Sequence, residues 1–582
     1  MVKSLKILFF LLITIETVGQ QTLATRGKLT PSDYSIQDSV LIKTRDGATI
    51  SAIVVQKKGD NSPKPVILQF TIYVRDKGRD LKTLKESVDN GYIGVIAYSR
   101  GKRFSSDEIL PYEHDGKDAY DVIDWISKQE WCNGSVGMFG GSYNGFTQWA
   151  ACKSVHPALK TIVPYVAARP GQGLPMENNI FINPNYEWAF YVANNRYLDT
   201  IVGTDRQRFR KLMFKWWETG IAYNKLDSLD GINNKWFQRW ISHPSFDDYW
   251  QNMTPYQSDF AQIKIPILAF DGYYNDGQSS GLYYIRELQR YSPETPAYLI
   301  IGPYGHFGTQ KGGEAMINGY KVDSVALFNI NKITYQWFDY ILKGGRKPEI
   351  LKDKINYEVI GANEWQSAPT IDKMSNDHIT LYLTTSKNGE FFNASTKKPT
   401  IKEFLSQKVD FADRSSSNND YYPDPIIRKE IEMSSGFNFI SAPLEETIRV
   451  NGSFIGEIYA SINKADFDFG VTLYEVMPNG EYFHLSYYIG RASYATDITQ
   501  RKLLIPGQIE QIPFSNTHLI SKQLNKGSRL LVHINVNKNP FSELNYGTGK
   551  RVSDETIKDA GESLEVKWYN DSSVTIPIWI VH

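Results

Sequence analysis

The ten residues 136–145, Val-Gly-Met-Phe-Gly-Gly-Ser-Tyr-Asn-Gly, restrict this chain more than any other stretch. The apolar run of Val136, Met138 and Phe139 suits a buried strand of a parallel sheet, and residues 146–151 suit a helix. Between them Gly140, Gly141 and Gly145 surround Ser142. A strand that turns into a helix within so few residues crowds its own backbone, and glycine relieves that crowding. Strand, glycine-flanked serine and helix together form the context of a nucleophile elbow. The spacing is Gly-x-Ser-x-x-Gly rather than Gly-x-Ser-x-Gly. Taken alone, the stretch therefore fits a glycine-rich turn with an incidental serine equally well.

The surrounding chain supplies the sheet that such an elbow needs. With 582 residues it exceeds what a single core organises, so two or three domains are expected. Residues 38–56 alternate about Arg45-Asp46-Gly47 and read as a hairpin. Residues 65–71 and 92–98 read as buried strands, and 79–88 and 115–129 have helical apolar spacing. Further strand-like runs cover 159–163, 265–270 and 297–301. Strands alternating with helices build βαβ units, so this part is α/β with a parallel sheet. From about 170 to 260 the rhythm changes to Trp- and Tyr-rich helical segments, among them 209–219 and 236–242. A helical insertion between sheet strands reads as a cap over a site; an extra helix layer on the core is the other reading. A long helix over 322–342 stops at Lys343-Gly344-Gly345, with Pro348 beyond. Past residue 350 short β-rich runs recur, and Asn388-Gly389 and Asn479-Gly480 mark turns between several of them. That pattern predicts an all-β sandwich or jelly roll. The expected division is a leader at 1–21, an α/β domain at 22–348 with its insertion at about 170–260, and a jelly-roll-like domain at 349–582.

Lys3 and Lys6 precede an apolar run from Ile7 to Ile15, followed by Thr17, Val18, Gly19 and Gln20. This is the layout of a secretory signal peptide, and the run is too short to span a bilayer. An exported protein, periplasmic or secreted, with no membrane-spanning segment after processing is expected. Acidic and basic residues balance at 64 each, which argues against a nucleic-acid partner or a polybasic membrane patch. Cys132 and Cys152 are the two cysteines. Five strand residues rise ~17 Å to the serine and ten helical residues descend ~15 Å, so both cysteines lie near the same end of the sheet. A structural disulfide and two inert buried thiols both fit that placement.

A serine hydroxyl becomes a useful nucleophile when a histidine takes its proton and a carboxylate holds that histidine in one tautomer. His306 lies just past the 297–301 strand in the glycine-rich stretch Gly302-Pro303-Tyr304-Gly305-His306. His156 follows the elbow helix and His243 lies in the insertion, so both are less apt. The acid is expected after a later strand than the elbow, and the 265–270 strand ends in the polar loop Asp271-Gly272-Tyr273-Tyr274-Asn275-Asp276-Gly277-Gln278. Serine, acid and histidine then follow the chain order of α/β-hydrolases.

These residues also carry a family resemblance. Arg100-Gly101, Asp115-Gly116-Lys117-Asp118-Ala119-Tyr120-Asp121 and residues 129–138 run directly into the elbow, whose Gly-x-Ser-Tyr-x-Gly form is specific. Together with Gly302-Pro303-Tyr304-Gly305-His306 and Asp466-Phe467-Asp468-Phe469, they resemble the CocE/NonD family of serine hydrolases: cocaine esterase, α-amino acid ester hydrolase, glutaryl acylase and X-prolyl dipeptidyl-peptidase. The resemblance spans nearly all of the chain past the leader. It implies Ser142 as nucleophile, His306 as general base, and an oxyanion hole made by the Tyr143 N–H and the Tyr73 hydroxyl. Tyr73 stands in Ile72-Tyr73-Val74, where family members have Pro-Tyr-Gly. In the acid loop the family's Gly-aromatic-aromatic-Asp becomes Gly272-Tyr273-Tyr274-Asn275-Asp276. Strict counting selects Asn275; a shift of one residue selects Asp276, which is the expected acid because an amide stabilises imidazolium poorly. Relatives that hold a substrate ammonium do so with carboxylates, and Glu177 at the start of the insertion is the candidate here. No His-Glu-x-x-His or similar cluster is present, so no metal and no cofactor is expected. The expected activity is cleavage of acyl esters, including α-amino acyl esters or amides, through an acyl-enzyme. Release of N-terminal dipeptides, and a secreted binding protein without activity, are the alternatives. The substrate would be a small ester, amide or peptide. Some members of the family assemble, which leaves room for a homo-oligomer.

Overall fold

Apolar strands alternating with amphipathic helices build one mixed sheet. In a computed structural model, which describes residues 33–580, β1 (Tyr34–Lys43) and β2 (Thr49–Lys57) form the expected hairpin. The leader expected at 1–21 lies outside the described residues. Next come β3 (Lys64–Thr71), α1 (Lys77–Asp89), β4 (Ile93–Tyr98), α2 (Asp115–Ser127), β5 (Cys132–Gly141), α3 (Tyr143–Cys152) and β6 (Leu159–Tyr165). After an insertion, β9 (Ile267–Tyr274), α9 (Gln278–Tyr291), β10 (Ala297–Gly305), α10 (His306–Thr309) and α11 (Ile330–Lys343) follow. The insertion contributes β7 (Met176–Glu177), β8 (Ile180–Phe181), α4 (Pro184–Ala193), α5 (Arg206–Thr219), α6 (Leu226–Asp230), α7 (Lys235–Ile241) and α8 (Asp248–Gln251). A small hairpin of β11 (Met316–Ile317) and β12 (Tyr320–Lys321) precedes α11.

The sheet order is β1-β2-β4-β3-β5-β6-β9-β10, continued by β13 (Ile355–Val359) and β14 (Glu364–Ala368). Strands β3, β4, β5, β6, β9, β10 and β13 are parallel to their neighbours in this series. Their carboxyl ends share one edge of the sheet, where open α/β sheets place their sites. The sheet therefore runs past the boundary expected at 348/349. β13 pairs with β10, because its wholly buried Ile-Asn-Tyr-Glu-Val run completes the core beside that strand. The last long helix also starts later than expected. Asn329 caps α11 by accepting from the Lys332 N–H, and Gly344 closes it in the left-handed conformation at φ 68°.

Helices of the insertion bury Trp216, Trp217, Trp236, Trp240 and Trp250. Burial of such side chains contributes roughly 1.5–3 kcal/mol each. The same apolar cluster takes in Tyr112, Tyr143 and Phe146 from around the elbow. Trp188 of α4 stacks on Tyr112 with ring centroids 5.4 Å apart, so the insertion lies over the serine turn.

Beyond β14 fourteen strands, from Asp377–Asn388 to Ser573–Ile580, form an all-β second sheet. Inside it the Arg491 guanidinium bridges Asp468 at 2.9 Å and Glu543 at 2.8 Å, while Asp466 pairs with Arg501. The two parts are joined by polar contacts as well as apolar ones. The Gln278 amide donates to the Leu519 carbonyl at 2.8 Å and accepts from the Leu519 N–H at 2.6 Å, as a strand partner would.

Cys132 and Cys152 are both buried and both free, which removes the disulfide reading. Cys132 opens β5 and accepts a hydrogen bond from the Gly134 N–H at 3.3 Å, while Cys152 closes α3 inside the apolar layer. Each behaves as a small apolar side chain, and burial pushes both thiols up, further from the reactive thiolate.

Candidate active site

Ser142 stands between β5 and α3 with φ 61° and ψ −122°, a conformation that L-residues rarely adopt. Such strain costs roughly 1–3 kcal/mol and persists where the surroundings enforce it. Here the Ser142 N–H is tied to the Tyr165 carbonyl at 3.0 Å, and its own carbonyl accepts from the Gly145 N–H at 2.9 Å. The glycines are required by contact: a Cβ on Gly145 would sit 2.8 Å from the Ala167 Cα, and one on Gly140 would sit 2.7 Å from the Asn144 Cβ. The local sequence thus presents a serine where only an elbow can form.

Tyr73 follows β3 on the same edge. The chain departs from Pro-Tyr-Gly here, and burial replaces that rigidity: Ile72 and Val74 are both in the core and fix the phenol between them. Its hydroxyl meets the Ser142 side chain, the Tyr143 N–H and the Trp188 indole N–H, the last at 3.2 Å. An indole N–H only donates, so it takes a lone pair of the phenol oxygen and leaves the phenol proton free to donate. Burial raises the phenol pKa, which keeps that proton in place. Tyr143 is held from its other end. Its hydroxyl donates to Asp115 at 2.7 Å and accepts from the Tyr112 N–H at 3.0 Å, so its backbone N–H is fixed in direction. Asp115 also accepts from Ser99 at 2.6 Å, and burial pushes its pKa up to about 7.

His306 opens α10 directly after β10. Pairing of β10 with β9 runs Ile301↔Asp271 and Gly302↔Gly272, then resumes at Gly305↔Tyr274. One extra residue is therefore absorbed in β10, a bulge of the kind that re-aims side chains at sites. It sets His306 beside Asn275, whose Oδ1 lies 2.9 Å from His306 Nδ1. Asn275 is fully buried and its Nδ2 donates to Asp271 at 2.8 Å. Asp276, the expected acid, is turned away: its carboxylate is solvent-exposed and accepts from the Tyr422 hydroxyl of the all-β part at 2.7 Å. The position against the histidine therefore belongs to the amide, and the expectation of Asp276 there is corrected. His306 is half-buried, and loss of water around it pushes its pKa down to about 4, with no adjacent carboxylate to oppose the shift.

Gln310 is a link that the sequence did not disclose. Its amide donates to the His306 carbonyl at 3.0 Å, and its side chain packs where a Cβ on Gly141 would fall, joining α10 to the elbow. Trp188 and Asp271 were also missed. Asp271 left a trace, since it is an acidic residue inside a strand that is otherwise apolar and aromatic. Glu177 is buried in β7, and its Oε1 faces His518 of the all-β part at 3.6 Å. Its charge is felt at Asp276, so these two carboxylates share one region, lined by Tyr422, Tyr487, His484 and His518. Among the described residues no group of three His, Cys, Asp or Glu is arranged to hold a metal ion, and no helix is long and apolar enough to cross a membrane.

Comparison with known proteins agrees with this architecture. Residues 46–308 match the X-Pro dipeptidyl-peptidase (S15 family) model, and residues 350–562 match the X-Pro dipeptidyl-peptidase C-terminal non-catalytic domain. Cocaine esterase from Rhodococcus sp. (strain MB1 Bresler) is 24% identical, with 90% of this chain and 95% of that protein covered. Among solved structures, an α-amino acid ester hydrolase matches with a TM-score of 0.78 at 22% identity, covering 96% of this chain and 98% of that one. An aminopeptidase from a marine sediment Thaumarchaeota archaeon also gives 0.78, at 19% identity over 96% of this chain and 99% of that one. With hydrolytic enzymes as its relatives and both S15-type domains in order, the chain belongs to the CocE/NonD family of serine hydrolases.

Proposed function

We propose that this protein is an exported serine esterase that works through Ser142, His306 and Asn275. The observation that carries the reading is the meeting of the Tyr73 hydroxyl, the Tyr143 N–H and the Ser142 side chain at one point. In the proposed reaction Ser142 Oγ attacks the ester carbonyl while His306 Nε2 takes its proton. The carbonyl oxygen becomes an alkoxide between the Tyr143 N–H and the Tyr73 O–H, two donors fixed before the charge appears. Collapse of the tetrahedral intermediate expels the alcohol, which receives the proton from His306. Water, deprotonated by the same nitrogen, then releases the acid and restores Ser142. Asn275 keeps Nδ1 protonated and so leaves Nε2 free to act as base. Export is inferred from the Lys3-Lys6 and apolar pattern of the leader.

A preference for substrates with a free amino group is supported by Glu177 and Asp276, whose carboxylates share the tyrosine-lined region beside Asn275. A panel of an aryl acetate, phenylglycine methyl ester and a Gly-Pro anilide tests the reading. Turnover of the two esters above the anilide is expected; turnover of the anilide alone would replace it with dipeptide release. Asp276→Asn should leave kcat for the aryl acetate within about twofold, as for an exposed substitution. For phenylglycine methyl ester it should raise KM about fivefold, the scale of one exposed ion pair. A loss of several orders of magnitude on the neutral ester would return Asp276 to the acid role.

A further inference from the structure

A histidine base backed by an amide has lost the charge that normally stabilises its protonated form. In this chain a carboxylate stands one residue type further back. Asn275 accepts from His306 Nδ1 and donates through Nδ2 to Asp271 Oδ1 at 2.8 Å; the same oxygen accepts the Gly272 N–H at 2.8 Å. The register of the two parallel strands brings the three residues into line, with Asp271 inside β9, Asn275 just past its end and His306 just past β10. Space for the carboxylate is built in. A Cβ on Gly281 of α9 would fall 1.9 Å from Asp271 Oδ2, so the helix residue facing it has to be glycine.

We propose that Asp271 is the positioning residue of this site, acting through Asn275 to fix the tautomer of His306 and to supply the negative charge that Asn275 lacks. The inference rests on the reading of Ser142 and His306 as nucleophile and base. Oδ1 of Asp271 already receives a backbone N–H, so it is an acceptor, and the amide must turn its NH₂ toward it. Asn275 Oδ1 is then obliged to face the imidazole, where it accepts only from a protonated Nδ1. Without Asp271 the amide would be free to flip and present its NH₂ to Nδ1, which would put the proton on Nε2 and silence the base. During attack the serine proton goes to Nε2, Nδ1 keeps its own proton, and no proton crosses to Asn275 or Asp271. The carboxylate polarises the amide and so favours the imidazolium.

Asp271 is 2% exposed, and burial, opposed only by the hydrogen bonds from Asn275 and Gly272, sets its pKa at about 8. His306 is the titratable group that faces it, through Asn275; α9 presents Gly281. Ionisation of Asp271 therefore adds activity as the pH rises through about 8.

The test uses the full chain, an aryl acetate and a fluorophosphonate probe. Asp271→Asn should lower kcat about tenfold or more with KM little changed, the scale seen when the partner behind a metal-ligating imidazole is removed. It should also erase the rise in kcat near pH 8. The exchange Asp271→Asn with Asn275→Asp keeps one amide and one carboxylate in the same two positions, with the charge now directly on His306. It should restore kcat to the wild-type level or above. If Asp271→Asn unfolds, the exchanged pair decides alone against the wild type, and a folded pair about tenfold slower than wild type or worse overturns the proposal. Wild-type kcat and pH profile in Asp271→Asn, or an exchanged pair that is folded but no faster than Asp271→Asn, would overturn the proposal. Failure of the wild-type protein to label at Ser142 would overturn the esterase reading instead, so the two failures are distinct.

Discussion

Replacing Ser142 by alanine should lower kcat for an aryl acetate by about 10⁶, and replacing His306 by alanine should cost nearly as much. The double variant should be no slower than either single one. Nucleophile and base act on one proton in one step, so once either is gone the other has nothing to do, and their effects do not add. The oxyanion hole still polarises the carbonyl and the site still binds substrate, which leaves about 10³–10⁴-fold acceleration over water. Steady-state kinetics with a thermal melt of each variant checks the expectation. The melts matter because Ser142 sits at φ 61° within a fully buried helix start, and alanine pays the same backbone strain as serine. Additive losses, or a folded Ser142→Ala protein with wild-type turnover, would remove Ser142 from the chemistry.

The second large effect is expected at Tyr73. Tyr73→Phe removes one hydroxyl from among Trp188, Ser142 and Tyr143, and it should lower kcat about 10²–10³-fold with KM little changed. The effect falls on kcat because the phenol is aimed at an oxygen that becomes negative only during reaction, so it contributes little to ground-state binding. Trp188 offers a control. The indole N–H orients the phenol but does not reach the oxyanion, so Trp188→Phe should cost far less than Tyr73→Phe while it keeps the aromatic packing on Tyr112. Equal losses for the two variants, or a pure KM effect at Tyr73, would mean that the phenol packs rather than donates.

Much of this site was legible in residue order. The glycines about Ser142 have no other use than to relieve a strand-to-helix turn, and a Cβ at Gly140 or Gly145 would collide with Asn144 or Ala167. The apolar strands before Tyr73 and His306 set both residues at carboxyl ends of parallel neighbours, since period and length alone decide which runs are buried strands. Contacts made across the chain were not legible. Trp188 comes from a helix 115 residues away from Tyr73, and Tyr422, which holds Asp276, comes from the all-β part 146 residues away. No local pattern encodes such partners. The strands that complete the first sheet were not legible for the same reason: β13 and β14 read locally as short β runs like those that follow them, and only pairing with β10 assigns them to the first sheet. The cysteines, near one end of the sheet by counting, are two free thiols buried in one apolar cluster, because placement along a strand and a helix does not set the direction of either side chain.

The choice between Asn275 and Asp276 separates what the sequence determines from what it leaves open. Residue order by itself determined the elbow serine, the histidine after the last long parallel strand, and a tyrosine on the same sheet edge, because these follow from local turn chemistry and strand period. It also narrowed the acid to two adjacent residues. Which of the two faces His306 depends on register, and register is a property of two strands together. Had β10 paired with β9 without interruption beyond Gly302↔Gly272, His306 would stand opposite Asp276; the extra residue before Gly305↔Tyr274 moves it back to Asn275. Side chains alternate along a strand, so a slip of one residue exchanges the face a side chain takes. Tertiary pairing therefore decided that an amide meets the histidine, that Asp276 turns to Tyr422, and that the buried carboxyl group behind the amide is that of Asp271.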